Sequence, residues 1–156
     1  LFSFSDTTCY SDGELSLILQ ENRQANPTLQ LLPTQYFLIR RKEDNADVGR
    51  IDLRIGWTDS TFYSGNVGYT VHLPYRGHRY AARACRLLAE PARGYGMRAL
   101  FLTCAEQNAA SRRTCELLGA RFLGAVPLPP GNKLYLQGIR TMLRFRLDLS
   151  KPFPAL

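Results

Sequence analysis

The spacing of hydrophobic positions changes along the chain, and each change marks a candidate element. In "DGELSLILQENRQA" (12–25), Leu15, Ile18 and Leu19 fall at helical spacing. This predicts a first helix capped by Asp12. "QYFLIRRK" (35–42) reads as a strand, followed by a turn at Asp44-Asn45. "DVGRIDLRIGW" (47–57) alternates, with Ile51, Leu53 and Ile55 on one face and Asp52 and Arg54 on the other. The pair Asp52/Arg54 is read as a surface salt bridge. A hairpin-like loop follows, and then "VGYTVHL" (67–73), with Val67, Tyr69, Val71 and Leu73 on one face. From about 78 to 95 the period becomes helical, with Tyr80, Ala81, Ala84, Cys85, Leu87 and Leu88 as the apolar stripe. Pro91 should kink or end that helix near Glu90, because it removes a backbone donor.

"MRALFLTCA" (97–105) reads as a strand buried on both faces. "NAASRRTCELLG" reads as a helix with Asn108 at its N-cap and Gly119 at its stop. A strand "ARFLGAVPL", a loop "PPGNKLYLQG" and an alternating strand "IRTMLRFRLDL" complete the pattern, with 150–156 expected as a flexible tail. A strand–helix–strand unit requires a parallel pair with a right-handed crossover. The expected class is therefore α/β (α+β): a mixed, mostly antiparallel sheet of about six or seven strands with a central parallel pair and helices on both faces.

Composition adds limits. Apolar content of 45% over 156 residues fits one domain, 1–156, with its own core, and excludes disorder. No apolar run approaches the roughly 18 residues of a membrane helix. No signal-peptide pattern opens the chain, so a cytoplasmic location with no membrane partner is expected. The four cysteines form no C-x-x-C pair and the histidines have no zinc spacing, so no metal site is expected. Buried or free thiols are the plain reading. The net charge of +7 favours a polyanion: a phosphorylated cofactor, an acidic surface or nucleic acid. The nucleic-acid reading ranks last. It needs basic and aromatic residues interleaved on one sheet face, of which "LRFRLDL" is a fragment.

The candidate chemistry centres on "YRGHRYAARACRLL" (75–88), where an Arg-Gly turn opens a helix. Free backbone N–H groups and the helix dipole make such a start an anion site. The turn is neither a Walker A loop nor a dinucleotide fingerprint.

These residues resemble the GCN5-related N-acetyltransferases. Their signature Gln/Arg-x-x-Gly-x-Gly/Ala is matched at its ends by Arg76 and Ala81, with Arg79 in place of the central glycine. "GNVGYTVHLPYRGH" is similar to the family's fourth strand and turn. "NAASRRTCELLGARF" is similar to its second cofactor motif, Asn-x-x-Ser-(x)4-Glu-x-x-Gly. The spacing is most like the ribosomal-protein-type N-acetyltransferases and related bacterial members.

The resemblance implies transfer of an acetyl group from acetyl-CoA to a primary amine of a small molecule or protein N-terminus, by direct attack in a ternary complex. The alternative is a non-catalytic acetyl-CoA sensor. It implies pyrophosphate contacts from Arg76, Gly77, His78, Arg79, Tyr80 and Ala81. Arg79 is expected to keep ordinary helical angles. Arg83 and Arg86 are read as a solvated helix face. The family's pantetheine arm runs beside Val71, His72 and Leu73, and meets Asn108 and Ser111. The relatives' catalytic glutamate corresponds to Asn66, which can hold a water. Their proton-donating tyrosine corresponds to Cys115, either a thiol donor or a small core residue. Tyr135 and Tyr69 are further phenol candidates, and Asp52 and Glu106 the remaining carboxylates. The acceptor pocket is expected from the first helix, the 58–65 loop and the "GNKLYLQG" loop. A homodimer through the last strand, or the exposed edge beside it, is also expected.

Overall fold

The computed structural model describes residues 1–156. Its strands are β1 (Cys9–Ser11), β2 (Leu15–Arg23), β3 (Thr34–Arg41), β4 (Asp47–Arg54), β5 (Val67–Val71), β6 (Ala99–Ala105), β7 (Arg121–Pro127) and β8 (Thr141–Asp148). Its helices are α1 (Thr61–Ser64), α2 (Tyr80–Gly94), α3 (Ala109–Leu117) and α4 (Lys133–Leu136).

The first predicted helix is a strand. Leu15, Leu17 and Leu19 alternate with Ser16 and Ile18, and β2 pairs antiparallel with both β1 and β3. The same segment satisfies both periods, and cross-strand pairing selects the period of two. Asp12 serves the hairpin turn instead. Its Oδ1 accepts from the N–H groups of Glu14 and Leu15, each at 2.7 Å.

The strands number eight and form two antiparallel sheets, β1-β2-β3-β4-β5 and β6-β8-β7. The expected central parallel pair is absent as a ladder. β5 and β6 touch only where β5 begins. There the Asn66 N–H donates to Phe101 O at 2.7 Å, and Asn66 Oδ1 accepts from the Phe101 N–H at 2.9 Å. Beyond this point the two strands are unpaired. Gly65 permits the junction. Its φ is +69°, and a Cβ there would stand 2.5 Å from Phe101 O.

One core spans both sheets. Leu15, Leu17, Phe37, Ile39, Ile51 and Leu53 line the inner face of the large sheet against Ala84, Cys85 and Leu88 of α2, and the core continues through Leu100, Leu102 and Phe145. Helices do not cover both faces of the large sheet: α2 is the helix that packs broadly on it. On the outer face, Arg50 and Thr70 are exposed and Tyr36 and Asp52 half-buried.

Other boundaries moved. β5 stops at Val71, and Leu73 sits in a 3-10 turn with 74% of its surface exposed. α2 continues past Pro91 to Gly94. β6 is buried on one face only, through Leu100, Leu102 and Cys104. The 58–66 and 128–138 loops each contain a one-turn helix, α1 and α4. The C-terminal residues pack rather than trail. Phe153 lies under Arg86 and Arg93, with guanidinium-to-ring distances of 5.4 and 5.5 Å. Arg83, expected in solvent, bridges Asp12 (3.3 Å) and Glu14 (3.0 Å), tying α2 to the first hairpin. β8 lies between β6 and β7, so the edges of the small sheet belong to β6 and β7 and not to the last strand.

Candidate functional site

A cleft of about 560 Å³ opens between the edge of β5 and α3. One wall is the edge of β5 (Tyr69, Thr70, Val71), the floor is the turn and start of α2 (Arg76, Gly77, Arg79, Tyr80, Ala81), and the other wall is α3.

The floor is built to receive an anion. Gly77 has φ +87° and Arg79 has φ +61°, so the chain twists twice before α2 starts. The N–H groups of residues 77–82 meet no protein acceptor, and Arg79 provides no side-chain cap. A run of free donors at a helix start combines hydrogen bonding with the dipole. The expectation that Arg79 keeps ordinary helical angles is overturned. It is the left-handed N-cap, a conformation that costs an L-residue about 1–2 kcal/mol. Glycine adopts this conformation without that cost. Arg79→Gly is therefore expected to raise the thermal midpoint of the free protein by about 2 °C, net of glycine's greater unfolded-state entropy. A melting curve of the two proteins without ligand checks this.

The edge of β5 offers its own donors. Arg54 N–H bonds to Asn66 O and His72 N–H to Val48 O, which sets the alternation of the β4–β5 ladder. The N–H groups of Val67, Tyr69 and Val71 must then point away from β4, toward the open side. Val71 O also points there and accepts from Arg76 Nε at 2.9 Å. Leu73 O is taken by the Arg76 N–H at 3.3 Å.

On α3, Asn108 Oδ1 accepts from the Ser111 N–H at 3.0 Å, capping the helix and leaving its Nδ2 free. Ser111 Oγ accepts from the Tyr69 hydroxyl at 3.1 Å, joining the two walls. Burial, with Cys85 nearby, pushes the Tyr69 phenol up to about 12, so it stays protonated through the neutral range.

Of the residues singled out from sequence, the cleft gathers Tyr69, Val71, Arg76, Gly77, Arg79, Tyr80, Ala81, Asn108 and Ser111. His72, Leu73 and His78 lie outside its lining. His78 stacks on Tyr80 at 5.3 Å, and the Tyr80 ring is buried, so Tyr80 offers its backbone only. Tyr75, Ala110, Arg113, Thr114 and Leu117 line the cleft and were not foreseen. The last four share one helical face, a spacing legible once Ser111 is placed.

The proposed catalytic trio separates. Asn66 is buried, and its amide is occupied: Nδ2 donates to Arg54 O (3.0 Å) and Gly56 O (2.9 Å), while Oδ1 holds Phe101. It is a clamp between sheets, with no donor left for a water. Cys115 is buried, and burial pushes its thiol up to about 12. It is absent from the cleft lining, which makes it a core residue. Tyr135 sits on α4 with the Arg140 guanidinium 3.8 Å from its ring centre, away from the cleft. Asp52 and Arg54 pair at 3.1 Å but are half-buried rather than on the open surface.

No helix is long and apolar enough to cross a membrane. The family model for the acetyltransferase (GNAT) domain matches residues 7–121. No curated protein matches the chain. Among solved structures, the ribosomal-protein-S5-alanine acetyltransferase of Vibrio fischeri is 14% identical. That match covers 94% of this chain and 100% of the other, with a TM-score of 0.66. A GCN5-related N-acetyltransferase of Brucella melitensis is 16% identical, with coverages of 95% and 81% and a TM-score of 0.65. The Salmonella typhimurium protein yncA, solved with its cofactor acetyl-CoA, is 18% identical, with coverages of 76% and 66% and a TM-score of 0.57.

Proposed function

Since the chain belongs to the GNAT acetyltransferase family, we propose that it transfers the acetyl group of acetyl-CoA to a primary amine, of a small molecule or a protein N-terminus, by direct attack in a ternary complex. The observation that carries this reading is the run of free N–H groups over residues 77–82, opening into a cleft that reaches the unpaired edge of β5.

The donors fit a pyrophosphate, and Arg76, Arg79 and Arg113 at the lining supply charge. The pantetheine arm lies along the edge of β5 as an added strand, bonded by the N–H groups of Tyr69 and Val71, with the Asn108 Nδ2 opposite. Acetyl-CoA supplies an activated acyl group as a thioester. An N–H at that edge polarises the acyl carbonyl and holds negative charge on its oxygen. After losing its ammonium proton the amine forms the C–N bond as the C–S bond breaks, and the further proton the nitrogen sheds on becoming an amide passes to solvent, from which Tyr69 is recharged. The Tyr69 hydroxyl, steadied by Ser111, donates to the departing sulfur. Relatives place this phenol on the helix. Here it comes from the strand, opposite a helix whose corresponding residue is the smaller Cys115.

The sensor alternative rests on the absence of a glutamate at Asn66 and of a tyrosine at Cys115. It predicts acetyl-CoA binding with no thiol release in the presence of any amine.

Calorimetric titration with acetyl-CoA tests the cofactor reading. Wild type should bind in the micromolar range. Arg76→Ala/Arg79→Ala should weaken binding about tenfold, the worth of roughly 1.4 kcal/mol of charge-assisted contact. Dephospho-CoA, which keeps the pyrophosphate and lacks the 3′-phosphate, should show the same loss in the variant if the turn holds the pyrophosphate. Equal affinity of the variant and wild type, or no binding by wild type, would refute this assignment.

A further inference from the structure

A second cavity of about 360 Å³ lies on the outer face of the large sheet and shares Tyr69 and Thr70 with the cofactor cleft. Its side chains follow from the register. Glu21, Tyr36, Asp52 and Gly68 stand in one cross-strand row, and Leu38, Arg50 and Thr70 in the next. The carboxylate of Asp52 does not stay over its own strand. A Cβ on Gly68 would stand 2.6 Å from Asp52 Oδ1 and 2.6 Å from Arg54 Nη2. The missing side chain of Gly68 is thus the space into which the carboxylate leans, and β5 is the strand whose far edge lines the cofactor cleft.

Arg54 fixes this posture. Its Nη1 donates to Ser64 O at 2.8 Å and to Gly65 O at 3.3 Å, so the guanidinium cannot swing away. Its Nε lies 3.1 Å from Asp52 Oδ2 without the alignment of a hydrogen bond. Oδ2 is therefore buried beside the cavity, held by the charge of Arg54 rather than by an aligned hydrogen bond. A carboxylate oxygen held by an ion pair alone keeps acceptor capacity that a ligand's donor can fill. Of the groups the protein offers, Arg50 has no hydrogen-bond or ion-pair partner, and Glu21 is paired with Arg23 at 3.3 Å.

We infer that this cavity receives the acceptor amine and that Asp52 is the catalytic carboxylate that binds the ammonium and takes its proton. The inference rests on the acetyltransferase reading above and deepens it. The substrate class is an alkylammonium presented on the face of the sheet opposite α2. Because no helix covers that face, the amine can belong to a large molecule such as a polypeptide terminus. The proton moves from the ammonium nitrogen to Asp52 and then to solvent, and the freed electron pair forms the bond to the acetyl carbon. Burial raises the Asp52 carboxyl above the ordinary carboxylate range, against the opposing pull of Arg54, which makes it a better base.

Two measurements test this. Amide spectra of the protein titrated with ethylammonium chloride, against sodium chloride at equal ionic strength, should show saturable shifts at Asp52 and Gly68. The shifts should vanish in Asp52→Asn. Thiol release from acetyl-CoA with a panel of primary amines and short peptides should fall about 30-fold in kcat/KM for Asp52→Asn, with acetyl-CoA affinity unchanged. The acid limb of the pH profile should be lost with it. Gly68→Ala, which evicts the carboxylate, should behave alike, and Glu21→Gln should match wild type. No saturable shift, or equal kcat/KM in Asp52→Asn, would overturn the assignment. Ethylammonium shifts in a protein that does not bind acetyl-CoA would leave the amine site standing and remove the cofactor reading. Acetyl-CoA binding without those shifts would do the reverse.

Discussion

Asn66→Ala should lower unfolding stability by about 3–5 kcal/mol, from three buried hydrogen bonds and the groups they leave unpaired. The side chain is 1% exposed and holds Arg54 O, Gly56 O and the Phe101 N–H. Those partners belong to both sheets, and the only backbone bond at the junction is the single one from the Asn66 N–H. Alanine keeps that backbone bond and strands two carbonyls and one amide away from water. Domains of this size have about 5–15 kcal/mol in total, so much of the margin would go. A urea titration should show a lower midpoint with a similar slope. Asn66→Asp should be no better at neutral pH, because its carboxylate cannot donate to the two carbonyls. A loss below about 1 kcal/mol would show that the amide is not the clamp.

Tyr69→Phe should lower kcat for acetyl transfer by two to three orders of magnitude, the usual scale for a lost proton donor, while acetyl-CoA affinity changes little. The ring stays to fill the wall, and only the hydroxyl that bonds Ser111 is removed. The pH dependence has a definite sign. A phenol pushed up to about 12 holds its proton throughout the working range, so Tyr69 adds no alkaline fall below about pH 11. Ser111→Ala should lose less, since the phenol can turn to the sulfur unaided. Cys115→Ser should leave kcat within a few-fold, because the thiol is core and not donor. Thiol-release kinetics on the four proteins separates these outcomes. A normal kcat in Tyr69→Phe together with a large loss in Cys115→Ser would return the role to the helix.

Much of the cleft was legible in the chain. The Arg-Gly turn before α2 and the Asn-x-x-Ser start of α3 are local patterns. Gly77 and the Asn108 cap need only their own neighbours to take their conformations. β4 and β8 were readable for the same reason, since strict alternation has one folded outcome when one face is buried. Arg79 was misread because a helix start and a left-handed N-cap differ by one residue of register, and sequence places such boundaries poorly.

What the sequence by itself determined is therefore the anion cradle and the periodic strands and helices around it, all products of interactions within a few residues. The tertiary structure decided the rest. It turned Leu15–Arg23 into a strand by giving it β3 as a partner. It parted the sheets after one clamp at Asn66 and Phe101, 35 residues apart. It also laid Asp52 over Gly68 and set Tyr69 against Ser111, 42 residues away. Cross-strand register and helix docking choose such neighbours, and both depend on the whole core closing at once.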